Sequence, residues 1–172
     1  MRDCLRSAVA VAALTFVGMV AVAAPMQTDA FSITLPEGFG DFATQAQSSD
    51  SPEGKIETTN WISKAPTGEA VVVTVSKMPG KIGDAEKAIA GARDSLLKSL
   101  NATLETEEKI EGEQRAASLV FKSSGAFLRS QLVVDGERMI QVLYVGRSEE
   151  QRSGAAVGDL FASFKLAAPP AQ

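Results

Sequence analysis

The sequence predicts an α+β fold in which an antiparallel β-sheet packs against two main helices. Three observations predict it. Short apolar runs of period two recur along the chain, each bounded by turn residues. Val134-Asp135-Gly136-Glu137 joins two of them and is a strong hairpin signal. Only two long stretches have helical spacing, one opening at Asp84 and one at Ser148.

The first segment reads as an address. Arg2 and Arg6 precede an apolar run over residues 8–22, and Ala21-Val22-Ala23 follows the small-x-small pattern of a cleavage site. The run is shorter than the ~20 residues of a membrane-spanning helix, so a Sec-type signal peptide over residues 1–23 is expected, cut after Ala23. An uncleaved anchor is the rival reading. Cys4 precedes the apolar run, so it is not the acylated cysteine of a lipoprotein. The expected mature chain, residues 24–172, is one domain with a periplasmic or secreted location.

Composition narrows the chemistry. The chain has one cysteine, which leaves with the leader, and no histidine. That excludes imidazole acid/base catalysis, Ser-His and Cys-His nucleophiles, histidine-ligated zinc and internal disulfides. The net charge is −4, and losing Arg2, Asp3 and Arg6 makes it one unit more acidic. An acidic exported domain is a poor match for nucleic acid or anionic membrane surfaces. With 45% hydrophobic residues the chain is too apolar to be disordered.

The elements follow in order. Phe31, Ile33 and Leu35 alternate along a half-buried strand over residues 30–35, stopped by Pro36 and Gly38. Residues 43–55, rich in serine and poor in apolar side chains, read as a short edge strand running into an exposed loop. Residues 56–64 and 69–78 form a hairpin, and Val71, Val72, Val73 and Val75 suit a central strand covered on both faces. Asp84 caps a helix to about Leu100 with an apolar stripe of Ala85, Ala88, Ile89, Ala92, Leu96, Leu97 and Leu100. Asn101 is its stop. Ala85, Ala88 and Gly91 let it sit close on a sheet.

Residues 104–110 and 114–122 then form two strands around Glu111-Gly112, and residues 126–134 and 138–145 flank Asp135-Gly136. Ser148-Glu149-Glu150-Gln151 opens the second helix, whose stripe is Val157, Leu160, Phe161 and Phe164. Gly154 and Gly158 weaken it by roughly 1 kcal/mol each relative to alanine, which close packing on the sheet would offset. The tail, residues 167–172, should fray.

This order, with the phrases Phe31-Ser32-Ile33-Thr34-Leu35-Pro36-Glu37-Gly38-Phe39, Arg129-Ser130-Gln131-Leu132-Val133-Val134-Asp135-Gly136-Glu137 and Ser163-Phe164-Lys165-Leu166, resembles the PsbP/DcrB-like α/β sandwich. The resemblance covers nearly the whole mature chain. It implies an α/β/α sandwich and an exported, non-enzymatic accessory protein of the cell envelope. It carries over no residue roles, because no catalytic motif defines the fold. The histidine-based metal features of plant members have no counterpart here.

The candidate chemistry is thin. Ser95-Leu96-Leu97-Lys98 has Ser-x-x-Lys spacing but lacks the companion Ser-Asp-Asn and Lys-Thr-Gly motifs. Glu105, Glu107, Glu108, Glu111 and Glu113 could collect calcium, but read better as a charged edge strand. Gly80-Lys81-Ile82-Gly83 lacks the spacing of a phosphate loop. Trp61 is a candidate partner anchor, or a core residue. Arg129, Gln131, Arg138 and Gln141 are a candidate polar recognition face. The expected function is an exported accessory or binding protein acting by protein–protein contact, with no catalysis, cofactor or metal and with an envelope protein as partner. The alternative is a small-molecule or lipid carrier with a pocket between sheet and helix. A carboxylate-based glycosidase is the third reading.

Overall fold

The computed structural model describes residues 25–110 and 115–167. The expected leader, Glu111, Glu113 and the last five residues of the tail lie outside them. Seven strands form one antiparallel sheet: β3 (Ala43–Ser51), β4 (Gly54–Lys64), β5 (Ala70–Lys77), β6 (Thr103–Ile110), β7 (Arg115–Ser123), β8 (Ala126–Asp135) and β9 (Arg138–Gly146). Their order across the sheet is β3-β4-β5-β9-β8-β7-β6. A second, three-stranded sheet joins β1 (Met26–Gln27), β2 (Phe31–Ile33) and β10 (Lys165–Leu166), with β2 in the middle. The helices are α1 (Ala85–Ser99), α2 (Glu149–Ser153) and α3 (Ala155–Ser163).

The large sheet has a core on each face, and strand alternation fills both. Ile140, Val142 and Tyr144 of β9 pair in register with Val75, Val73 and Val71 of β5. Phe31, Ile33, Val157, Leu160 and Phe161 close over them from β2 and α3. On the opposite face Leu128, Leu132 and Val134 of β8 join Ala117, Leu119 and Phe121 of β7 and Met139 of β9, beneath Ile89 of α1. The two expected apolar sets of the hairpin, one on each strand, therefore lie on opposite sides of the sheet. Phe39 and Phe42 are half-buried against the first core, as their position after the β2 strand suggests.

Local chemistry sets the element ends. Asp84 Oδ1 accepts from the Lys87 amide at 2.9 Å and caps α1. At the other end Asn101 takes φ 46°, and the Ala102 amide donates to the Leu97 carbonyl at 2.8 Å while the Asn101 amide donates to Lys98 at 3.3 Å. This is a Schellman stop with asparagine in the glycine position. In the β8–β9 hairpin Asp135 and Arg138 are paired, so the loop is Gly136-Glu137. Gly136 has φ 62° and Glu137 is not left-handed, the arrangement of a type II′ turn, because only the glycine takes that φ without a steric cost.

Several expectations are corrected. There is one long helix rather than two main helices, because Gly154 at φ −62°, ψ 152° ends α2 and begins α3. The second outer layer is accordingly α3 together with the small sheet. Gly158 does not pack closely, since a Cβ there would meet nothing within 4 Å, and the same holds for Gly91, which faces solvent. The edge strand expected at the start of residues 43–55 is there but is not short, since it runs nine residues to Ser51. Val72 and Val75 are only half-buried, so β5 is fully covered on one face at Val71 and Val73 and not throughout. The start of the expected tail is tied down, with the Ala167 amide donating to the Ala30 carbonyl at 2.9 Å.

Asn101→Gly should leave thermal stability equal or slightly higher, whereas Asn101→Val should lower it by about 1–2 kcal/mol, because a β-branched residue resists positive φ. Phe31→Ala should cost about 3–5 kcal/mol, since its ring is fully buried and stands edge-on to Trp61 at 5.2 Å. Denaturant unfolding of the three variants measures both.

Candidate functional site

Of the side chains singled out from the sequence, Trp61, Arg129, Gln131 and Arg138 lie on one face of the large sheet but form no single site. Trp61 of β4 and Val73, Val142 and Gln131 make one cross-strand row. Val73 and Val142 are fully buried under the β2–α3 layer, which therefore stands between Trp61 and the β8 side chains. Trp61 is half-buried against Phe31 and lines an open cleft of about 350 Å³ with Met26, Leu35, Asp41, Phe42 and Thr44. The Arg129 guanidinium lies 4.8 Å from the centre of the Phe161 ring, a cation–π contact that covers the edge of the core. Arg138 donates to the Asp135 carboxylate and, at 3.4 Å, to the Asp29 carbonyl. Both arginines thus serve internal contacts.

Gln141 is not part of that face. It is one residue from Ile140, so the two-residue repeat turns it to the α1 side. There it continues a row of uncharged polar groups across the sheet. Gln45, Asn60, Thr74 and Gln141 are successive register partners. Thr74 Oγ1 donates to Asn60 Oδ1 at 2.7 Å, and Gln141 Nε2 donates to Ser130 Oγ at 3.3 Å. The Thr58 and Ser76 hydroxyls lie 3.1 Å apart in the next row. Helix α1 packs chiefly on β7 and β8, with Met139 of β9 in the same cluster. Between helix and polar rows runs an open groove of about 470 Å³, lined by Thr74, Ser76, Ser95, Ser99, Gln141 and apolar side chains, with no charged residue. Ser95 of the Ser-x-x-Lys match is on its rim; Lys98 is exposed to solvent outside it.

A third cleft, of about 530 Å³, opens between the 36–39 loop, the β4–β5 turn and the α2–α3 junction. Tyr144 reaches it with its hydroxyl donating to Glu69, whose other oxygen accepts from Thr67 at 2.6 Å. Burial, then the Glu69 hydrogen bond, hold the phenol well above its ordinary ionisation range. A phenol so held is a hydrogen-bond donor at all physiological pH and not a base.

The charged cluster that sequence reasoning missed surrounds Arg152, which is 6% exposed. Its guanidinium donates bidentately to Glu149 at 2.5 and 2.6 Å, to Glu105 at 2.5 Å and to the Phe121 carbonyl at 3.2 Å. The Glu149–Arg152 spacing on a helix was a readable signal; Glu105 was not, because it is brought in from β6. Arg152 lowers the Glu105 pKa, chiefly by this hydrogen bond. Glu107 is likewise held by Arg93 at 2.7 Å. The acidic stretch is therefore an edge strand with two of its carboxylates paired. Among the described residues no group of three or more His, Cys, Asp or Glu is placed to hold a metal ion, and no helix is long and apolar enough to cross a membrane.

No family model matches the sequence, and no curated protein matches it. Among solved structures the chain is similar to the solution structure of cyanobacterial PsbP (CyanoP) from Synechocystis sp. PCC 6803. The TM-score is 0.56 at 15% identity, over 89% of this chain and 98% of that one. The chain has a PsbP-like fold.

Arg152→Ala should destabilise the protein by about 2 kcal/mol, below the usual cost of breaking a buried pair because Glu149 is half-exposed. The acid side follows from Glu105. Its pKa is lowered in the folded state, so its contribution is complete above the ordinary value of 4.5 and fades as pH falls through the lowered one. Glu105→Gln should therefore be destabilised at neutral pH and converge on the parent protein in strong acid. Urea unfolding at a series of pH values measures the convergence.

Proposed function

We propose that this chain is an exported accessory protein of the cell envelope that acts by contact with another protein and carries out no catalysis of its own. The observation that carries the reading is the uncharged polar face of β4, β5 and β9 beside α1. It is two register rows deep, bordered by the apolar row of Ile62, Val72 and Leu143, and its side chains are ordered by hydrogen bonds to one another across the strands. Such a surface offers many donors and acceptors at fixed positions and no charge that must be desolvated, which suits a protein contact more than steering of an ionic substrate. The PsbP-like fold supports the same reading, since the resemblance implies a non-enzymatic accessory role. A catalytic centre is not needed to account for Arg129, Arg138, Arg152, Glu105, Glu107 or Tyr144, each of which has a structural partner.

The contact reading assigns Thr74 to the centre of the interface. Thr74→Arg places a long charged side chain there without touching either core. Capture from the envelope with the purified protein as bait should return one dominant partner, and Thr74→Arg should lose it while melting at the parent temperature. Trp61→Phe, which keeps a ring against Phe31, tests the cleft on the other face in the same assay. A small molecule co-purifying in the α1 groove, with no protein lost on Thr74→Arg, would sink the contact reading in favour of the carrier. For export, mass spectrometry of the envelope-derived protein should give an N-terminus at Ala24; an intact Met1 in a soluble cytoplasmic pool would contradict it.

A further inference from the structure

The two edges of the large sheet are built differently. β6 carries Glu105, Glu107, Glu108 and Lys109, and its register with β7 shifts between Leu104 and Thr106. Arg93, Lys122 and Arg152 reach across to its carboxylates. Charges and irregular register are the devices that keep a free edge from pairing with another strand. β3 has neither. It runs Ala43–Ser51 in unbroken register with β4 and holds no lysine or proline, and its one charge, Asp50, sits near its end. All of it but Ser51 is exposed. Alternate residues of an antiparallel edge turn their N–H and C=O away from the neighbouring strand, so β3 offers solvent a full strand length of main-chain donors and acceptors.

We propose that β3 pairs with β3 of a second copy of this chain, antiparallel about a two-fold axis through Gln47, and joins the two seven-stranded sheets into one. The strand is complementary to itself. Directly opposed residues of an antiparallel pair lie on the same face, so full overlap sets Gln47 against the second copy's Gln47. Gln45 then meets the second copy's Ser49, Thr44 its Asp50, and Ala46 its Ser48. Gln47, Gln45 and Thr44 each face a group that they can hydrogen-bond, and the two Asp50 carboxylates sit at opposite ends of the ladder. The same operation on β6, centred on Thr106, would set Glu105 against Glu107, a like-charge pair that opposes association. The contact is isologous and closes on itself, so it ends at two copies and does not grow into a filament. It uses the strand edge and shares only Gln45 with the polar rows, so it is distinct from the contact assigned to Thr74.

Sedimentation equilibrium of the purified protein from about 10 µM to about 1 mM, the range of a small interface, reads the assembly directly. The mass should rise from one copy to two with concentration. Gln47→Lys and Gln47→Glu should each raise the dissociation constant roughly fivefold, because each charge meets itself on the axis. An equal mixture of the two variants should recover the dimer. Gln47 is exposed, so both variants should melt, when dilute, at the parent temperature. A single-copy mass across the whole range overturns the proposal and leaves β3 to an extended segment of another protein. A dimer indifferent to both charges overturns it equally.

Discussion

A strand presents alternate side chains to opposite faces, and β8 and β9 must fill two cores with that one repeat. This constraint organises the molecule. Leu132 looks to α1, while its neighbour Val133 pairs with Ile140 on the β2–α3 side. A one-residue slip in either strand would turn both apolar sets the wrong way at once. The type II′ loop at Gly136 and the hydroxyl of Ser130, which donates to the Val142 carbonyl at 3.0 Å, both act on this hairpin, where a register error would cost most. The outer layers differ in kind on the two faces. α1 alone covers the β7–β8 side, whereas the β5–β9 side needs both a helix and three short strands.

The Arg152 cluster solves a separate problem at the end of the sheet. Gly154 breaks the C-terminal helix, so α2 cannot be held by continuity with α3. A guanidinium with fixed planar donors can take two carboxylates and a carbonyl together, which a lysine ammonium cannot do with the same geometry. Arg152 thus ties α2 to β6 and to the end of β7, and the ring of Phe127, 5.5 Å from the guanidinium, shields it. The cluster is structural, and it shows why the glutamates of β6 are not a reservoir of free carboxylates for chemistry.

What was legible in the sequence was local. The Asp84 cap, the Asn101 stop, the Asp135-Gly136 turn and the stripe of α3 each depend on residues within a turn or two of one another. The break at Gly154 was not, because a glycine inside a helical pattern reads the same whether the helix bends or continues. The length of β3 was not, because both its faces meet solvent and no apolar alternation marks where the edge strand ends and the loop begins. The polar rows were obscured by parity: Gln141 looks like a companion of Arg138 in the sequence, yet the two point to opposite sides. The pairing of Glu105 with Arg152 spans 47 positions and has no local trace at all. The candidate surface was therefore less visible than the fold, since it is made of register across strands.

The small sheet has a temporal meaning. β2 is held between β1 and β10, and its pairing with β10 joins Phe31 to Leu166, nearly the two ends of the described chain. Contacts of that separation close last, because the loop entropy must be met before they form. Until residues 155–166 are present, Phe31 and Ile33 have no α3 to lie under, and one of the two cores stays open. A growing chain can thus assemble its long hairpins early, but the core under β2 closes only once residues 155–166 have emerged.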